Sequence, residues 1–202
     1  MQTEIEVKFL NIDHNAMRKK LRAAGGTCEV PMRLMRRSIL DFPDLRLEKT
    51  YDGYVRVRDE GHRATLTYKQ FGEDLGIDSA REIETTVGDY AATIELLKVI
   101  GLDVKSEQET KRETWRLGDC EIVLDEWPWL KPYLEIEGPT EIALQTVAKK
   151  LGLDWANAVT GSVTVAYRAE YDIPREISVA KNPRMAFDEP VPDWMQKLRR
   201  AV

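Results

Sequence analysis

Cysteine, histidine, phosphate-loop glycines and long apolar runs are scarce or missing in this 202-residue chain, and each shortage removes a class of function. Two cysteines, Cys28 and Cys120, make neither a disulfide framework nor a metal-ligand spacing, as expected of a reducing compartment. The two histidines, His14 and His62, fall at a predicted helix N-terminus and a turn, and both read as solvated. Neither has a Cys or His partner at zinc-ligand spacing, and no Ser or Cys nucleophile has a His base within reach by pattern. There is no Gly-x-x-x-x-Gly-Lys loop and no Gly-x-Gly-x-x-Gly turn, so neither common nucleotide fold is supported. No run approaches the length of a membrane span, and Met1-Gln2-Thr3-Glu4 enters a strand pattern without a basic or apolar leader, so a soluble cytoplasmic protein is expected. A net charge of −5 argues against duplex DNA or an anionic membrane as the main partner, yet leaves room for a small polyanion held by a local basic cluster.

What is abundant is charge that alternates with apolar residues. At 43% hydrophobic and 32% charged the chain is globular, with length for one substantial core or two small ones. In Glu4-Ile5-Glu6-Val7-Lys8-Phe9 a strand puts Glu4, Glu6 and Lys8 on one face and Ile5, Val7 and Phe9 on the other. The acid-apolar-acid triplet recurs at Glu82-Ile83-Glu84 and Glu135-Ile136-Glu137. Tyr54 to Asp59 alternates Arg56 and Arg58 against Val55 and Val57, and Arg63 to Lys69 continues past a tight hairpin at Glu60-Gly61-His62. Thr110 to Arg116 and Cys120 to Glu126 read as a second hairpin. Strands are expected on both sides of the turn Tyr51-Asp52-Gly53, after an Arg-rich region from Met32 to Leu40, and a polar loop runs from Phe71 to Ser79.

Three helices are expected. Asp13 caps the first, with Met17, Leu21 and Ala24 in one stripe; Asp89 caps the second, with Ile94, Leu97 and Ile100 inward; the third opens at Gly138-Pro139-Thr140, with Leu144, Val147 and Leu151. Each triplet strand is followed by a helix that covers its apolar face while the charged face looks elsewhere. The fold class is therefore α+β, an antiparallel barrel with helices outside and charge inside. Ile173 to Val202, with Pro174, Pro183, Pro190 and Pro192 and a short amphipathic piece at Trp194 to Leu198, reads as a surface-packed extension, with a lid or a dimer arm as alternatives.

By alternation the inward acids are Glu4, Glu6, Glu82, Glu84, Asp125, Glu135 and Glu137, and the inward bases Lys8, Arg56, Arg58, Lys69 and Arg112. Carboxylates without His or Cys suit Mg²⁺ or Mn²⁺. Arginine and lysine beside them recognise phosphate. Together they specify a metal–polyphosphate complex, and metal-assisted phosphoryl or nucleotidyl transfer as the reaction class.

Glu4-Ile5-Glu6-Val7-Lys8 resembles the Glu-x-Glu-x-Lys signature of the CYTH superfamily, the triphosphate tunnel metalloenzymes. The resemblance continues through Val55-Arg56-Val57-Arg58, Leu66-Thr67-Tyr68-Lys69, Arg81-Glu82-Ile83-Glu84, Lys111-Arg112-Glu113-Thr114-Trp115, Leu124-Asp125 and Tyr133 to Gly138. It covers about residues 1–172 and leaves 173–202 outside. It implies an eight-stranded antiparallel barrel forming a tunnel. Glu4 and Glu6 would bind the metal with Asp125, Glu135 and Glu137, Glu4, Glu6 and Lys8 forming the catalytic set. Lys8, Arg56, Arg58, Lys69 and Arg112 would clamp a triphosphate, Glu82 and Glu84 orienting those bases or a second metal. Many members carry Lys-x-Arg before Asp125. Here the lysine position is Thr110, so one base is missing or replaced by Lys111 through a bulge; by alternation Lys111 faces outward. The implied activity is hydrolysis of tripolyphosphate, thiamine triphosphate or a nucleoside triphosphate. The alternatives are a class IV adenylate cyclase, disfavoured because no His-Phe pair precedes Glu4, and a non-catalytic polyphosphate- or nucleotide-binding module. A homodimer is left open.

Overall fold

The computed structural model describes residues 2–71, 80–174, 177 and 182–200, with the side chains of 2–4 and 80 excepted; the expected loop after Phe71 lies outside them. The alternating segments form antiparallel strands: β1 (Gln2–Glu4), β2 (Glu6–Phe9), β3 (Thr27–Asp41), β4 (Gly53–Asp59), β5 (Ala64–Phe71), β6 (Ala80–Val87), β7 (Asp103–Leu117), β8 (Cys120–Glu126) and β9 (Tyr133–Glu137). Their order in the sheet is β1-β6-β5-β4-β3-β7-β8-β9-β2. β1 and β2 are consecutive halves of one segment broken at Ile5. The first half pairs with β6 (Gln2 opposite Glu82) and the second with β9 (Lys8 opposite Glu135). Both ends of the sheet thus meet on residues 2–9, and eight strands curl into the expected barrel. The charged stretch at the N-terminus is its seam.

The apolar core lies between the outer face of this sheet and the helices. Val7, Ile122, Leu124, Leu134 and Ile136 pack against Met17 and Leu21 of α1 (His14–Ala23) and Leu144 and Val147 of α4 (Glu141–Lys150). Each such fully buried aliphatic side chain contributes roughly 1.5–3 kcal/mol. Asp13 caps α1 by accepting from the backbone N–H groups of Asn15 and Ala16, and Thr140 caps α4 by accepting from Ala143. A Cβ on Gly138 would come within 2.7 Å of Cys120 Sγ and 2.9 Å of Leu144 Cδ1, so only glycine lets β9 turn into α4 there. α3 (Tyr90–Val99), capped by Asp89, places Leu97 against Leu40, Val57 and Leu102.

Several expectations change. Upstream of Tyr51-Asp52-Gly53 the chain forms α2 (Arg46–Tyr51), not a strand, because the buried Asp41 carboxylate accepts from the N–H groups of Phe42, Leu47 and Glu48 and so satisfies its first turn. The Arg-rich region is the middle of a 15-residue strand that begins at Thr27. Register shifts around Val30, beside Pro31, hide its start from a period-two reading. Ile100 caps the end of α3 and is 62% exposed, and Ile83 is 56% exposed, so the helix after β6 does not cover that strand's outer face. His14 is buried, not solvated: its Nε2 lies 3.0 Å from the Tyr133 carbonyl oxygen.

The C-terminal part packs on the barrel. α5 (Thr164–Glu170), Ile173, Met185 and Met195 bury against Trp127 and Tyr133. A two-residue strand, β10 (Arg184–Met185), pairs parallel with Glu107 and Gln108 of β7, beyond the point where β8 stops covering that edge. Among the described residues no helix is long and apolar enough to cross a membrane.

Candidate active site in the barrel interior

Strand register alone puts most of the expected side chains on one surface, since directly paired residues share a face. Glu6 lies opposite Glu137, and Lys8 opposite Glu135; Arg112 is opposite Asp125 on one side and Arg33 on the other; Arg56 meets Thr67, which meets Glu84, and Lys69 meets Glu82. This is the inner face of the barrel, and it holds Glu6, Lys8, Arg56, Arg58, Lys69, Glu82, Glu84, Arg112, Asp125, Glu135 and Glu137. The Glu4 side chain lies outside the described residues; its backbone opposes Ala80.

Charge of both signs lets these groups stay ionised where water is scarce. Lys8, only 2% exposed, sets its Nζ 2.8 Å from Glu6 and 3.3 Å from Glu135. Burial opposes its charge, but the two carboxylates outweigh burial and raise its pKa above the usual lysine value. Burial likewise opposes ionisation of Glu135, yet the charges of Lys8, Arg112 and Lys69 prevail and hold it at about 2. Arg112 grips Asp125 with two nitrogens, at 2.7 and 2.6 Å, and reaches Glu135 at 2.9 Å. Across the barrel Arg56 and Arg58 share Glu84, at 3.3 and 3.6 Å. Lys69 Nζ stands 3.7 Å from Glu82.

Thr110 is buried on this face opposite Met35. Lys111 is not: it points outward, its Nζ 3.7 Å from Glu126 and 4.4 Å from the centre of the Phe187 ring. Pairing between β7 and β8 runs without a register shift from Lys111–Glu126 to Leu117–Cys120, so no bulge turns Lys111 inward and it does not replace the missing lysine.

Several interior groups escaped the sequence reading. Glu60, in the expected hairpin turn, folds back with its carboxylate buried between Arg58 at 2.5 Å, Arg63 at 3.0 Å and Arg33 at 3.4 Å. Burial raises its pKa, but those guanidiniums outweigh burial and bring it to about 2. Arg33 and Arg37 share the inner face with Met35 and Ile39; the alternation across 33–39 is the sequence signal for that placement. Tyr133 is buried beside Asp125, its hydroxyl without a partner among the described residues. Burial and the acids Asp125 and Glu135 hold its phenol un-ionised, well above the usual tyrosine value.

The carboxylates form an oxygen-only donor set, the kind a hard divalent cation accepts. Among the described residues no three His, Cys, Asp or Glu side chains are gathered closely enough to hold an ion. The oxygens of Glu6, Asp125 and Glu135 are turned to Lys8 and Arg112 instead. A cation would enter by displacing part of those ion pairs.

The CYTH domain model matches residues 2–162, four-fifths of the chain. The chain belongs to the CYTH family. Among solved structures, this CYTH protein is similar to PH1012 of Pyrococcus horikoshii OT3 (22% identity, 81% of this chain and 98% of that one, TM-score 0.66). It is also similar to a Vibrio parahaemolyticus protein provisionally named an adenylate cyclase (17%, 82% and 97%, TM-score 0.69). A third is HpAC1 of Hippeastrum, provisionally an adenylyl cyclase and described as having a dominant triphosphatase activity (15%, 89% and 99%, TM-score 0.55). At these identities the likeness is one of fold. No curated protein matches.

Proposed function

We propose that this CYTH protein is a divalent-metal-dependent hydrolase of a small linear triphosphate, whether inorganic tripolyphosphate, thiamine triphosphate or a nucleoside triphosphate. The observation that carries the reading is charge of both signs brought together on the inner face of one barrel. Glu6, Asp125, Glu135 and Glu137 stand on β2, β8 and β9, while Glu82 and Glu84 are paired with bases on the opposite wall. Arg56, Arg58 and Lys69 stand on β4 and β5, with Lys8 and Arg112 between. Glu6, Asp125, Glu135 and Glu137, with Glu4, would hold Mg²⁺ or Mn²⁺; that ion supplies charge neutralisation and polarises a phosphate oxygen.

The chain's own residues do the rest. Lys8 and Arg112 lie between the acids and the basic wall, so phosphate oxygens reaching them exchange a carboxylate partner for an anionic one. Arg56 and Arg58 present forked donors whose Nε atoms are buried with no partner among the described residues, with Glu84 to orient them and Glu82 to orient Lys69. Residues 1–172 would form the tunnel domain and 173–202 an extension packed against it.

Hydrolysis is preferred to cyclisation because the inner face is lined mainly by charged side chains of the kind that grip phosphate oxygens. The cyclase remains the second reading, since HpAC1 and the Vibrio protein both bear cyclase names. Incubation with tripolyphosphate and with ATP in the presence of Mn²⁺, followed by product analysis, decides between them. Orthophosphate release supports hydrolysis, cyclic AMP with pyrophosphate supports the cyclase, and tight binding without turnover would make the chain a binding module.

A further inference from the structure

Arg37 differs from every other inward base. Lys8, Arg33, Arg56, Arg58, Lys69 and Arg112 each stand within 4 Å of a carboxylate. Arg37 makes no ion pair among the described residues. Its guanidinium lies over the Trp127 indole, 3.9 Å from the ring centre, and its Nε donates to Gln108 Oε1 at 2.8 Å. Gln108 is itself held by Ser106, whose hydroxyl donates to the Asn182 carbonyl. The side chain is therefore braced on one edge and one face, while its two terminal nitrogens make no hydrogen bond among the described residues. Burial, joined by the like charges of Arg56 and Arg112 and opposed by Tyr54 and Tyr133, pushes its pKa down to about 10, leaving it protonated at neutral pH. A cation held in place without a counter-ion has a net cost in the empty protein and gains most when an anion arrives. An anion binding there displaces no carboxylate.

Resting on the triphosphatase reading, we propose that Arg37 is a further substrate-binding residue: its free fork takes the third phosphate of a linear inorganic polyphosphate whose other two are gripped by the paired bases, so the tunnel selects tripolyphosphate over pyrophosphate. Trp127 and Gln108 are positioning residues that hold the fork.

The test is calorimetric titration of tripolyphosphate and of pyrophosphate, each with Mn²⁺, into the full chain, Arg37→Met and Arg37→Lys. Loss of a forked, charge-assisted contact weakens tripolyphosphate binding roughly ten- to a hundredfold in Arg37→Met, leaves pyrophosphate binding within about threefold, and gives an intermediate loss in Arg37→Lys. Removing an unpaired, half-buried charge also raises the melting temperature of ligand-free Arg37→Met, whereas a merely structural arginine stacked on Trp127 would lower it. Equal losses for both anions, no loss for either, or a lower melting temperature or failure to fold overturns the proposal. A wild-type protein that binds neither anion overturns the proposed function itself.

Discussion

Replacing Arg112 with methionine separates the roles of its partners. In the structure Arg112 occupies both oxygens of Asp125 and one of Glu135. Asp125 is 1% exposed, so water cannot substitute for the missing guanidinium. Removing one partner of a buried pair costs about 3–5 kcal/mol. At about 2–4 °C per kcal/mol for a chain of this size, the melting temperature of Arg112→Met falls by roughly 6–20 °C. The same change frees carboxylate oxygens beside Glu135 with no cation competing for them. Divalent metal should then rescue the variant beyond its effect on the parent: binding at a hundred times Kd stabilises by about 2.7 kcal/mol. Differential scanning calorimetry of both proteins, with chelator and with saturating Mn²⁺, measures both effects. A variant that melts with the parent, or one whose Mn²⁺ shift is no larger, refutes the assignment of Asp125 and Glu135 to the cation.

Three other outcomes are expected. Glu6→Gln or Asp125→Asn abolishes metal-dependent phosphate release while circular dichroism shows a folded protein; full activity in either would remove that residue from the metal site. Lys111→Ala leaves triphosphate affinity within twofold of the parent by calorimetry, because its ammonium is on the outer face, whereas Arg58→Ala weakens it about tenfold or more. Stability is pH-dependent through Glu60 and Glu135, both held at about 2 against the ordinary 4.5. Their folded pKa values are depressed, so the stabilisation is complete above pH 4.5 and is lost as pH falls toward 2. The loss is on the order of 3 kcal/mol for each, readable as the urea midpoint at pH 5 and pH 2.5, and a midpoint that does not move would contradict the pairing.

Local pattern determined a good deal of this protein. Alternation in Glu6–Phe9, Tyr54–Asp59 and Tyr133–Glu137 fixes which side chains share a face, because a strand's period of two leaves no other choice. The caps Asp13, Asp89 and Thr140 set helix starts through backbone groups only two or three residues away. Lys111 could be assigned outward, and Thr110 inward, by the same rule. Tertiary structure decided what depends on partners distant in sequence. Asp41 makes α2 a helix by folding its carboxylate back over six and seven residues. Glu60 becomes an interior carboxylate only because Arg33 and Arg58 arrive from another strand and the adjoining one. Arg37 acquires its character from Trp127, 90 positions away, and from the C-terminal segment that braces Gln108 through Ser106. Period and capping act over a few residues and can be read along the chain. The pairing of a charge inside the barrel is a three-dimensional balance, and only the folded sheet shows that Arg37 has no acid among the described residues.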